Sequence, residues 1–242
     1  MPKPPVWVER DKVKEGVYWP SEEMKEKAWV KDEAVYEEAS RDPVAFWSKL
    51  AREGLDWAEP WSEVYRPEYP YFKWFLGAKL NASFNCVDRH VATWRRNKAA
   101  IIWVPEPPDE PVRTLTYMDL LREVNRMASA LKMLGVRPGD RVGIYMPMVP
   151  EVQVAMLACA RIGAIHSVVF SAFSPAALRE RLLDAEAKVL ITVDGYYRRG
   201  RKINLKEQAD AALEGTRVEK VVVVERLGLD VEMKPGRDHW WR

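Results

Sequence analysis

The stretch Arg141-Val-Gly-Ile-Tyr-Met-Pro-Met-Val-Pro-Glu-Val-Gln-Val-Ala-Met-Leu-Ala-Cys-Ala-Arg-Ile-Gly-Ala-Ile-His-Ser-Val-Val-Phe170 reads as strand, helix, strand. Arg141–Met146 is a short β-rich run. Pro150 suits a first helical position and opens a nearly all-apolar segment to Ile162, which Gly163 stops. A helix apolar all round belongs in an interior. Ile165–Phe170 is the next strand. A strand, a crossover helix and a second strand imply parallel pairing with a right-handed connection.

The same alternation continues on both sides. Upstream, Ala99–Val104 and Arg113–Thr116 are strand-like, and Thr116 with Asp119 forms a capping-box pattern. Leu120, Val124, Met127, Leu131 and Leu134 then recur at helical spacing up to Gly135, and Arg137-Pro-Gly-Asp140 is a turn. Downstream, Ser174-Pro175 opens a helix carried by Leu178, Leu182 and Ala185. Lys188–Val193 is a strand without alternation, as a sheet buried on both faces requires. Asn204 and Glu207 cap a helix through Leu213, Gly215 stops it, and Glu219–Val224 is a further strand. The pattern predicts an α/β fold over residues 98–242, a partial doubly wound parallel sheet with flanking helices.

Residues 1–97 lack a sustained period and read as an irregular and helical N-terminal extension. Asp42-Pro43 starts a helix over Val44–Glu53, with Phe46, Trp47 and Leu50 on one face. Nine of the 11 tryptophans precede residue 104. The clusters Tyr18-Trp19-Pro20 and Tyr69-Pro70-Tyr71-Phe72 read as extended segments whose rings anchor packing.

Composition narrows the function classes. The chain has 242 residues, 48% hydrophobic and 31% charged, which excludes a disordered polypeptide. Its 38 basic and 36 acidic residues nearly cancel, against bulk electrostatic binding to nucleic acid or to an anionic membrane. The longest apolar run, Val149–Ala164, is interrupted by Glu151, Gln153 and Arg161, so no membrane span is expected. Two cysteines, Cys86 and Cys159, make no disulfide framework, and no secretory leader is read, which points to a cytoplasmic protein. The ending Asp238-His-Trp-Trp-Arg242 does not taper to polar residues, so the chain is expected to be the first part of a longer one.

In an open parallel sheet, ligands bind outside the carboxyl ends of the strands. Three such ends are legible: Met146–Pro150, Phe170–Ser174 and Asp194–Lys202. The third holds Arg198, Arg199, Arg201 and Lys202 around Gly200. Arginine forks match phosphate oxygens, and a glycine admits close approach of backbone N–H groups. A solvated basic loop is the alternative. Asp194-Gly195 reads as a turn, with a metal ligand as the other option. His90, His166 and His239 are far apart, and His166 reads as a core histidine. Cys86 and Cys159 read as buried and inert. No zinc spacing, nucleophile elbow, dinucleotide fingerprint or P-loop occurs.

Certain motifs go further. Tyr71-Phe-Lys-Trp-Phe-Leu-Gly-Ala-Lys-Leu-Asn-Ala-Ser-Phe-Asn-Cys-Val-Asp-Arg-His90, Thr114-Leu-Thr-Tyr-Met-Asp-Leu120, the block Tyr145–Phe170 and the Gly-Arg-Asp-x-Trp-Trp ending resemble AMP-forming acetyl-CoA synthetases of the adenylate-forming superfamily. The resemblance covers residues ~15–242 and implies the extension (1–97) and the first part of the large AMP-binding domain (98–242) of an acetate–CoA ligase. That reaction joins acetate and CoA through acetyl-adenylate, with ATP and Mg²⁺. The family's ATP loop, hinge and catalytic lysine would lie beyond Arg242, so the resemblance implies no catalytic, ATP-binding or metal residue in this chain and no activity of it alone. It implies a CoA site at Arg198, Arg199, Gly200 and Arg201, with Ala172 beside it. Where the family usually has Gly-Gly, this chain has Ser171-Ala172, and an added Cβ limits close approach. The implied partners are the small molecules acetate, ATP and CoA, with neither nucleic acid nor membrane; oligomerisation stays open. A propionate or other short-chain acyl–CoA ligase, and a stand-alone CoA- or nucleotide-binding module, remain as alternatives. Half a domain should also leave apolar surface uncovered.

Overall fold

Residues 141–170 form strand, helix and strand, the strands being the last two at one side of a five-stranded parallel sheet. The computed structural model describes residues 8–241, with side chains from Arg10 onward. They fall into two units, one ending at Ala78 and one beginning at Lys79.

The first unit contains β1 (Val8–Arg10), β2 (Tyr18–Pro20), α1 (Glu22–Lys27), α2 (Ala34–Arg41), α3 (Pro43–Gly54), β3 (Glu63–Glu68) and β4 (Tyr71–Leu76). At the start of α3, Asp42 accepts from the Ala45 N–H at 2.9 Å, with Pro43 in the first turn. The rings of Trp57, Trp61 and Phe75 pack together, and Trp57 Nε1 donates to the Ala51 carbonyl. The two aromatic-proline clusters differ from the sequence reading: Tyr18, Trp19, Tyr69, Tyr71 and Phe72 are exposed rather than buried anchors.

The second unit contains α4 (Arg89–Val91), β5 (Ala99–Trp103), β6 (Arg113–Thr116), α5 (Tyr117–Met133), β7 (Arg141–Met146), α6 (Pro150–Arg161), β8 (Ile165–Phe170) and α7 (Pro175–Asp184). It continues with β9 (Val189–Val193), β10 (Gly195–Arg198), β11 (Arg201–Asn204), α8 (Leu205–Ala212), β12 (Lys220–Val224) and β13 (Asp238–Trp240). The sheet order is β13-β12-β9-β7-β8, all parallel. Every residue of β9 is buried, as its unbroken apolar run requires. The chain leaves β7 toward β8 and then returns past it to β9 and β12. The order therefore reverses at β7, and the carboxyl ends of β7, β8 and β9 meet at a switch point. Helix α5 packs on α6, and α7 packs on α8. The capping box at Thr116 is complete.

Three features depart from the sequence reading. Strands β5 and β6 pair with each other antiparallel and stay out of the parallel sheet. The basic segment after β9 is an antiparallel hairpin, β10–β11, not a loop. The aromatic ending supplies β13 at one sheet edge. At the opposite edge, Ile165, Val168 and Phe170 of β8 are exposed.

A buried ionic network locks β13 in place. Lys206 of α8 donates to Asp210 at 2.6 Å, to Asp238 at 2.9 Å and to the Glu232 carbonyl at 2.9 Å, which uses all three ammonium protons. Arg237 also binds both Asp210 and Asp238. Burial opposes the charge on Asp238, but hydrogen bonds from Arg237, Lys206 and the Lys234 N–H outweigh it and hold the carboxyl at about 2, below the ordinary 3.8. A depressed folded-state pKa gives stability that is complete above 3.8 and is lost as pH falls toward 2. The loss over that window should be about 2 kcal/mol. Urea unfolding across acid pH checks it: Asp238→Asn should be less stable at neutral pH and should lack this part of the acid slope. An unchanged slope would assign the acid sensitivity to other carboxylates.

Candidate functional site

The hairpin β10–β11 presents the basic residues. Its two-residue turn has φ of 51° at Arg199 and 73° at Gly200, the left-handed pair that matches strand twist in a tight hairpin. Glycine adopts this freely, whereas an arginine there carries local strain. Arg198 and Arg201 are direct cross-strand partners. Their separation of three in sequence is what a two-residue turn converts into facing positions. Like charges directly opposite on a hairpin repel. Arg198, Arg199, Gly200 and Arg201 are all exposed, and among the described residues no carboxylate pairs with any of these guanidiniums. An anion is the group that would relieve this repulsion.

At the foot of the hairpin lies an open cleft of about 320 Å³. Pro147, Met148 and Val149 line it from beyond β7, Phe170 and Ser171 from the end of β8, and Tyr196, Tyr197 and Arg198 from β10. All three strand ends singled out in the sequence thus converge. Arg198 lines the cleft; Arg199, Gly200 and Arg201 stand at the hairpin tip above it. Ala172 is half-buried next to Ser171, and it is the buried Ser171 that lines the wall. The cleft also includes Trp103, Val104, Glu106 and Arg226, which the sequence reading did not find. Arg226 follows the end of β12, so the strand-end rule could have found it. Trp103 ends the off-sheet hairpin strand β5 and Glu106 follows it, and no local signal marks them. Trp103 Nε1 donates to the Met148 carbonyl at 2.8 Å, and Arg226 stacks on the Trp103 ring at 4.8 Å while pairing with Glu110.

Two buried polar groups set this geometry. Asp194 is fully buried and accepts from the N–H groups of Gly195, Arg226, Leu227 and Leu229 at 2.7–3.1 Å. It therefore fixes both the root of β10 and the segment carrying Arg226, a turn role broader than the sequence suggested. Gly195 is obligatory here, since a Cβ would meet the Ile203 carbonyl oxygen at 2.6 Å. Tyr145 reaches from β7 to place Oη 2.7 Å from the Phe173 carbonyl and 3.2 Å from that of Ser171, which holds the loop after β8. Burial pushes its hydroxyl up to about 12, so it serves as a neutral donor.

Other candidates carry no chemistry. His166 is half-buried on β8. Cys159 is buried and its thiol is pushed up to about 12, but Cys86 is exposed, contrary to the sequence reading. Among the described residues no cluster of three His, Cys, Asp or Glu side chains could hold a metal, and no helix is long and apolar enough to cross a membrane. The Asn85-Cys-x-Asp-Arg-His90 element packs against α5, while Asn81, four residues before it, and Asp88 reach α6. Asn81 donates to the Ala160 and Arg161 carbonyls at 3.1 Å, capping that helix, and Asp88 pairs with Arg161.

Residues 87–240 match the family described as AMP-binding enzyme, and residues 32–86 match the acetyl-coenzyme A synthetase N-terminus. The acetyl-coenzyme A synthetase of Gemmatimonas aurantiaca is 56% identical over 92% of this chain and 35% of its own length. That of Rubrobacter xylanophilus is 53% identical over 96% of this chain and 36% of its own. Among solved structures, an acetoacetyl-CoA synthetase from Streptomyces lividans superposes with a TM-score of 0.76 at 28% identity, covering 83% of this chain and 30% of that one. The chain thus spans about a third of the length of the curated relatives it matches.

Proposed function

The chain belongs to the AMP-binding enzyme family, and from that premise we propose that it serves an AMP-forming acetate–CoA ligase and supplies part of the CoA site. In that reaction an acetate oxygen attacks the α-phosphorus of ATP and pyrophosphate leaves. The CoA thiol then attacks the acyl carbon of acetyl-adenylate, losing its proton, and AMP leaves. Mg²⁺ would travel with ATP; the described residues offer no cluster of three His, Cys, Asp or Glu side chains to hold it.

The observation that carries the CoA assignment is the facing pair Arg198 and Arg201, of which Arg198 lines an aromatic cleft. On this reading the pair, with Arg199, takes the phosphate on the nucleotide end of CoA. Trp103, Tyr196 and Tyr197 supply flat apolar surface for a nucleobase. On this reading the groups that stabilise the adenylation transition state do not belong to this stretch of the protein.

The test uses the 242-residue chain. It should show no acetate-dependent exchange of pyrophosphate into ATP. It should bind CoA at high-micromolar to millimolar Kd, about −4 to −6 kcal/mol by calorimetry, and bind dephospho-CoA, which lacks the 3′-phosphate, more weakly. Exchange above background in a preparation free of host enzyme would overturn the assignment of catalysis. Equal affinity for the two ligands would overturn the phosphate site.

A further inference from the structure

One carboxylate reaches into the basic hairpin. The Gly200 N–H donates to Glu106 Oε1 at 2.7 Å, although the two residues lie 94 positions apart. Glu106 forms no ion pair among the described residues, and neither do Arg198, Arg199 and Arg201 of the hairpin. The turn therefore offers a backbone N–H on a hairpin that carries Arg198, Arg199 and Arg201, and a backbone N–H among basic residues can receive a phosphate oxygen. Its present occupant is the protein's own side chain. Glu106 also lines the cleft together with Arg198 and Arg226, so it lowers the positive charge that an entering anion meets.

We propose that Glu106 is a positioning residue that holds the hairpin turn by an anion's own contact and is displaced when the phosphate of the nucleotide ligand arrives. The inference rests on the phosphate-site reading above. It gives Glu106 two opposed effects. The hydrogen bond orders the turn, which favours binding. The charge competes with the ligand phosphate for the same N–H and repels it, which weakens binding. Glutamine separates the two, because its amide oxygen keeps the acceptor and its neutrality removes the repulsion.

The experiment titrates CoA and dephospho-CoA into the unmutated chain, Glu106→Gln and Arg198→Ala/Arg201→Ala, following calorimetry and the Gly200 amide resonance. Glu106→Gln should bind CoA about three- to tenfold tighter, the size expected of one charge removed a few ångströms from a phosphate in a solvated site. Its dephospho-CoA affinity should change less than about twofold, and the gain should shrink as salt rises. In the unmutated chain the Gly200 amide should shift on CoA addition as its partner is exchanged. Unchanged or weaker CoA binding by Glu106→Gln, or a Gly200 amide that stays fixed at CoA saturation, would overturn the role of Glu106. The phosphate-site reading fails separately, if the unmutated chain does not distinguish CoA from dephospho-CoA or if the double arginine variant keeps that distinction.

Discussion

On the proposed reading as an acetate–CoA ligase, replacing Arg198 and Arg201 together with Ala in the full-length protein should raise the KM for CoA by roughly thirty- to a thousandfold and leave acetate-dependent pyrophosphate exchange near its original rate. Each guanidinium contributes about 1.5–3 kcal/mol when it hydrogen-bonds a charged partner, which is roughly ten- to a hundredfold per residue. The split between half-reactions follows from the chemistry, since adenylation is complete before CoA is used. The two losses should not add fully, because the arginines face each other across one turn and would share one phosphate. Removing one also relieves the repulsion on the other. Steady-state kinetics in CoA beside exchange kinetics in acetate provide the measurement. Equal damage to both half-reactions would make the hairpin a structural element.

Asp194→Ala should cost the second unit about 3–5 kcal/mol, a large share of the 5–15 kcal/mol typical of a domain. The side chain is buried, and its carboxylate accepts from four backbone N–H groups. Alanine leaves those donors without an acceptor, each a penalty of roughly 1–3 kcal/mol before the segment 226–229 opens to water. Asp194→Asn should recover only part of the loss, because one acceptor oxygen is replaced by a donor facing donors. The same change should weaken CoA binding, since Asp194 holds both the root of the hairpin and the segment that carries Arg226. Denaturant midpoints for the three proteins, with CoA calorimetry on those that fold, read both effects. A shift below about 1 kcal/mol would mean that the loop finds other partners.

The parallel sheet was legible because its signals are local and repeated. The period change at Pro150, the capping box at Thr116 and the unbroken run of β9 each state a helix or strand within a few residues of themselves. The site was half legible. Arg198 and Arg201 were readable as a basic cluster, and the strand-end rule located the cleft, because both depend on sequence order alone. That the cluster is a hairpin with the arginines face to face was not readable, since Arg199 is an unfavourable residue for a left-handed turn and hides the signal. The motif carrying the family resemblance was legible as a pattern and silent as to purpose; the fold assigns Asn81 and Asp88 to capping and pairing with α6.

By itself the sequence determined the α/β class, the family, a cluster of arginines after β9, and the strands and helices of 98–242 apart from β10, β11 and β13. Each follows from residues near one another in the chain, where propensity, period and spacing act. Only the tertiary structure decided that β5 and β6 pair apart from the sheet, and that Trp103, Glu106 and Arg226 join the cleft. It alone showed Asp194 collecting four N–H groups, and the aromatic ending closing a sheet edge over a buried Lys206–Asp238 pair. Those contacts span tens of residues. They are selected by which buried polar groups must find partners once the apolar strands have packed, a requirement that no local stretch of sequence expresses.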